Sequence, residues 1–106
     1  MVIEDKKRAA HMAVVIRVLE GDGGSSRAAR HAAFENAGID EPLRTLIDKV
    51  ARQPTRVSDE DIAAVLASGE SEDQLFELVV CAALGAATRQ YEAALQALEE
   101  TMYGQK

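Results

Sequence analysis

The chain is poor in the residues on which most small enzymes and nucleic-acid binders depend. It has a single cysteine, two histidines, two prolines and no tryptophan. One thiol cannot close an internal disulfide, so nothing calls for an oxidising compartment, and a reduced, cytoplasmic setting is the expectation. A Cys-x-x-Cys pair is missing as well, which excludes a dithiol redox cycle within one chain. Basic residues are the minority: 12 Lys and Arg face 18 Asp and Glu, a formal charge of -6. Non-specific binding to phosphate backbones runs on Lys and Arg, so nucleic acid is not an expected partner. The longest uncharged run, Leu78 to Thr88, falls well short of the roughly 18 to 20 residues that cross a bilayer, so no membrane partner is expected. At the N-terminus, MVIEDKKRAAHMAVVIRVLEG places charges before an apolar run. His11 and Arg17 interrupt that run and no small-residue cleavage pattern follows before Glu20, so it reads as a mature helix.

What the chain has is helical pattern. With 47% hydrophobic residues over 106 positions it can bury one modest core, so a single domain over residues 1–106 is expected. Ala9, Met12, Val15, Ile16 and Leu19 recur at steps of three and four, predicting a first helix over Asp5 to Leu19 with those residues on its apolar face. The run Val14-Val15-Ile16 suits a strand, but no second strand is available to satisfy its backbone. EGDGGSS, Glu20 to Ser26, reads as a flexible loop leading to an N-cap at Ser25 or Ser26. The next helix carries Ala28, Ala29, Ala32, Ala33 and Phe34 and is expected to stop at Gly38. Asp40 then reads as an N-cap with Pro42 in the first turn, and Leu43, Leu46, Ile47 and Val50 as the buried stripe of a helix closed by Pro54. Ser58-x-x-Asp61 and Ser71-x-x-Gln74 are capping-box signatures. Between them lies a short helix burying Ile62, Val65 and Leu66 and ending at Gly69. A long last helix from Ser71 to about Met102 is apolar on all sides near Ala82. The expected fold is therefore all-α, about five helices in a compact bundle with a long C-terminal helix.

Few residues invite chemistry. Cys81 lies among Val79, Val80, Ala82, Ala83 and Leu84, with no cation within a helical turn, so a raised pKa and a packing role are expected. His11 and His31 sit on different helices without triad or metal spacing. No metal or other cofactor is expected. GDGGSS ahead of a helix, with Arg27 and Arg30 following, has the outline of an anion cradle. It lacks the Gly-Lys-Ser/Thr ending of a P-loop and the alternating carboxylates of a calcium loop, and reads as a linker. The acidic clusters Asp59-Glu60-Asp61 and Glu70-Glu72-Asp73 suit helix N-termini.

IDKVARQPTRVSDEDIAAVLASGESEDQLFELVVCAALGAATRQYEAAL, Ile47 to Leu95, resembles the C-terminal half of peroxidase-related proteins of the alkylhydroperoxidase D-like, or carboxymuconolactone decarboxylase-like, superfamily. The VSDEDIAAVLASG helix, its Gly69 stop, the ESEDQLFELV start and the small-residue run before Arg89 carry the likeness. The resemblance implies an all-helical fold and subunit association. Its redox-active members use a Cys-x-x-Cys and a following His ahead of this region. Here that neighbourhood reads GSSRAARHAAFENAG, with Gly24 and Arg27 where the cysteines would fall, so peroxidase activity does not carry over.

These readings predict a non-catalytic oligomerising or partner-binding module. Leu84, Thr88, Tyr91, Leu95, Leu98 and Met102 follow steps of four and three, a seam suited to a partner helix, and make Leu84, Tyr91, Leu95, Leu98 and Met102 the candidate interface of a homo-oligomer, most simply a dimer. The same seam could instead pack on the N-terminal helix through Val15, Ile16 and Leu19. The alternative is an enzyme or small-molecule binder whose pocket gathers Arg27, His31 and Arg44 with acidic neighbours.

Overall fold

A computed structural model describes residues 2–103, with side chains from Lys6 onward. Among the described residues it is all-helical: α1 Val2–Glu20, α2 Arg27–Glu35, α3 Leu43–Arg52, a single 3-10 turn Pro54–Arg56, α4 Asp59–Ala67 and α5 Glu72–Tyr103. None of these helices is long and apolar enough to cross a membrane. The long axis is 55 Å against 29 and 20 Å, because α5 runs nearly the length of the molecule.

Local chemistry sets the helix ends. Ser26, not Ser25, caps α2 through a 3.0 Å bond from the Ala29 N–H. α2 ends two residues before Gly38, at Asn36, which takes the left-handed conformation (φ 54°) that asparagine tolerates and turns its N–H back to the helix. Asp40 contributes only its carbonyl to the start of α3, and Pro42 stands just before the helix rather than within its first turn. The side-chain acceptor there is Glu41, which takes the Thr45 N–H at 3.0 Å and the Thr45 hydroxyl at 2.7 Å. Both capping boxes form as expected, Ser58 with Asp61 and Ser71 with Gln74. Lys49 of α3 reaches the Asp61 carboxylate at 2.8 Å, tying the α4 cap to α3.

The core forms along α5. Leu78, Cys81 and Ala82 pack with Val15 and Leu19 of α1, Ala33 of α2 and Ile47 of α3; Leu75 packs with Leu46 of α3 and Val65 of α4. Burying each of the large aliphatic side chains stabilises the fold by about 1.5–3 kcal/mol. α1 runs antiparallel to α5, since His11 meets Thr88 while Arg8 meets Glu92. Only Val15 and Leu19 of its expected apolar face are buried. Met12 and Ile16 stay exposed, because α2 and α5 cover a narrow arc of the helix. Ile62 of α4 is likewise left partly open, while Val65 is fully buried. The full burial expected around Ala82 also fails on one side: Ala83 faces solvent, and Val79 and Val80 are half-buried.

α2 approaches α5 at Gly85. A β-carbon there would collide with the Phe34 carbonyl oxygen, and the same carbonyl accepts the Arg89 guanidinium at 2.7 Å. Glycine is therefore required for closeness rather than for backbone freedom. Gly85→Ala is expected to destabilise the protein by at least the roughly 1–3 kcal/mol typical of overpacking. A guanidinium denaturation midpoint that does not move would show that α2 does not lie this near.

Candidate functional site

The glycine loop between α1 and α2 does cradle an anion, and the anion is the protein's own. Glu77 of α5 accepts the Gly24 N–H at 3.0 Å, the Ser25 N–H at 2.9 Å and the Ser25 hydroxyl. These bonds favour the charged carboxylate and hold its pKa down at about 2, the Ser25 hydroxyl being the largest cause. Gln74 adds a 3.0 Å bond to the Gly24 carbonyl, and a side chain at Gly23 would crowd the Glu77 oxygens. The loop is thus anchored to α5. Arg30 turns inward, buried, and donates to the carbonyls of Val18 and Gly21, where its cation complements the C-terminal end of α1. Its Nε is buried without a hydrogen-bond partner.

Cys81 lies behind this clamp, on a cavity of about 200 Å³ that Arg17, Val18, Phe76, Glu77 and Val80 also line. Desolvation pushes the thiol pKa up; Arg30 opposes the shift and Glu77 adds to it. The fold therefore brings a cation near the thiol that no spacing along the helix shows, yet burial prevails. The thiol is fully buried, as a packing cysteine is.

The fold brings Arg27 and His31 together on one carboxylate and leaves Arg44 apart from them. Arg27 and His31 both turn to Glu20, whose pKa is lowered chiefly by the His31 hydrogen bond. Arg44 pairs with Glu41 on a polar hollow of about 380 Å³ that includes Thr45, Asp48, Lys49 and Arg52. Among the described residues no three His, Cys, Asp or Glu side chains gather as a metal centre requires.

The candidate interface residues fall into two groups. Leu84, Tyr91 and Leu95 are half-buried on the side of α5 that meets α1, where His11 bonds to Thr88 at 2.8 Å and its ring lies 5.8 Å from that of Tyr91. Leu98 and Met102 are more than half exposed.

A second stripe, missed in the sequence reading, runs beside that seam. Phe76, Val80, Ala83, Ala87, Gln90, Ala94, Leu98 and Thr101 follow one another at steps of three and four on a single face of α5. All are exposed except Val80, which is half-buried, and none is charged. Phe76 is 69% exposed. It also borders an apolar groove of about 500 Å³ between α3, α4 and α5, in which Glu72 is the only charged lining residue. The charges of the distal part of α5, Arg89, Glu92, Glu99 and Glu100, fall on the opposite side of the helix from the stripe. The spacing of the stripe is visible in the sequence. What the sequence does not show is which of two adjacent apolar faces α1 would cover.

Lowering the Glu77 pKa from 4.5 to about 2 means that the clamp stabilises the fold fully above the unfolded-state value and loses that contribution as pH falls from there toward 2. Glu77→Gln should flatten this part of the acid-stability curve, read as melting temperature against pH. An unchanged acid slope in the variant would show that the loop is held by other means. Against family models, curated proteins and solved structures, the chain finds no match.

Proposed function

We propose that this chain is a non-catalytic helical interaction module of the alkylhydroperoxidase D-like lineage, which joins protein chains in the cytoplasm through the open face of α5. The observation that carries the reading is the uncharged stripe from Phe76 to Thr101 on a helix whose distal charges, from Arg89 onward, lie on the other side. A helix bathed in water on both sides gains nothing from such segregation, whereas an apolar face meeting a partner does. The polar groups that looked chemical are engaged in holding the fold. Glu77 fills the glycine loop, Arg30 caps α1, and Cys81 is sealed in the core. The lineage is supported by the Ser58 cap, the Gly69 stop at φ +115° and the Ser71 cap, the features that carry the resemblance.

A photo-crosslinking amino acid placed at Ala87 in producing cells should yield a discrete covalent product, identifiable by mass spectrometry. The same probe at Glu99, on the charged face, should yield none. Adding Ala83→Glu should abolish the product at Ala87 while circular dichroism stays unchanged. Equal labelling from both faces would contradict an interface on the stripe.

A further inference from the structure

Resting on that reading of the open face, we propose that its partner is a second copy of this chain, packed antiparallel along α5 about a two-fold axis at Ala87. Phe76, Val80, Ala87, Ala94 and Leu98 of the stripe fall opposite one another under that operation, while Ala83, Gln90 and Thr101 fall at the levels of Tyr91, Leu84 and Asp73. Phe76 and Leu98 lie eleven residues to either side of Ala87, and Val80 and Ala94 lie seven to either side. An antiparallel pair therefore sets Phe76 of one copy against Leu98 of the other, Val80 against Ala94, and Ala87 against itself. Large residues meet at the ends and small ones in the middle, so the helices can close to the lower end of the roughly 8–10 Å range of interaxial distances. A parallel pair would stack Phe76 on Phe76 and bring both α2–α4 layers to the same end.

One further observation favours this occupant. Val14 lies one helical turn from both Arg17 and Val18, which places this 45% exposed residue on the flank of α1 that adjoins the stripe. The two-fold axis sets the α1 helices of the two copies side by side as well, so that the contact is made by four helices. The patch suffices for such a pair. Between its paired ends, Phe76 and Leu98, it is about 33 Å long, and with the α1 flank about 15 Å wide, which gives roughly 500 Å² from each copy and about 1,000 Å² in all, level with the ~1,000 Å² a specific interface should clear. A chain of net charge -6 repels its own copy, and an interface at this threshold makes the dimer reversible and stronger in salt.

Disulfide trapping in the full chain tests the geometry. Facing α-carbons on helices this close come within the roughly 4.4–6.8 Å that a disulfide spans. Ala87→Cys should oxidise to a covalent dimer as the main species, and Phe76→Cys alone should not. An equimolar mixture of Phe76→Cys and Leu98→Cys chains should give the mixed dimer. Wild-type protein, its Cys81 fully buried, serves as the uncrosslinked control, and circular dichroism confirms that each variant is folded. Self-crosslinking of Phe76→Cys would overturn the antiparallel arrangement. A dimeric mass in solution with no crosslink at position 87 would overturn this interface. Wild-type protein that sediments as a monomer at several hundred micromolar would overturn self-pairing. If the Ala87 photo-product then contained a different protein, the interaction module itself would stand; if no photo-product formed, both readings would fall together.

Discussion

The close approach of α2 to α5 at Gly85 sets the rest of the arrangement. With no β-carbon in the way, the last turn of α2 lies on the α5 backbone, and Arg89 satisfies the Phe34 carbonyl left at the helix end. Ala33 then packs with Leu78 and Ala82, and α3 follows through Ile47 on the same side of α5. The loop before α2 is brought within reach of Glu77, and Arg30 is brought beneath the end of α1. With α2 and α3 on one side and α1 on the next, the circumference of α5 is divided. The strip from Phe76 to Thr101 is left uncovered, as is most of the last turns of α5 beyond Tyr91.

The electrostatics of the chain serve this packing. Glu77, Glu41 and Asp61 have lowered pKa values because hydroxyls, N–H groups or Lys49 hold them charged; Glu77 and Asp61 each pin one segment to another, and Glu41 caps the start of α3. Glu77 is the clearest case, since a carboxylate from α5 takes the donors that a glycine-rich loop would offer to an anion. A site that looks able to bind a phosphate is thereby turned into a fold contact between residues more than fifty positions apart.

Much of this was legible in the sequence, for reasons that are local. The capping boxes at Ser58 and Ser71, the positive φ at Gly69 and the stripe Leu46, Ile47 depend on residues a turn or two apart. Where the reading failed, the deciding partner was distant in the chain. Nothing near Ser25 announces Glu77, nothing near Cys81 announces Arg30, and nothing near Gly85 announces the Phe34 carbonyl. The open face is an intermediate case. α5 offers two apolar faces, and the sequence reading chose the one through Leu84, Tyr91 and Leu95. The structure seats α1 against that one through His11 and leaves the neighbouring face, which shares Leu98, uncovered.

That this open face is covered in solution can be read from one residue. The chain has no tryptophan, so Phe76→Trp introduces a single reporter at the most exposed large apolar side chain among the described residues. Its emission, followed from several hundred micromolar down to the nanomolar range, should begin blue-shifted, as an indole out of water is, and move to the red on dilution as the copies separate. Emission that is red at every concentration, and no different in cell extract, would contradict the account.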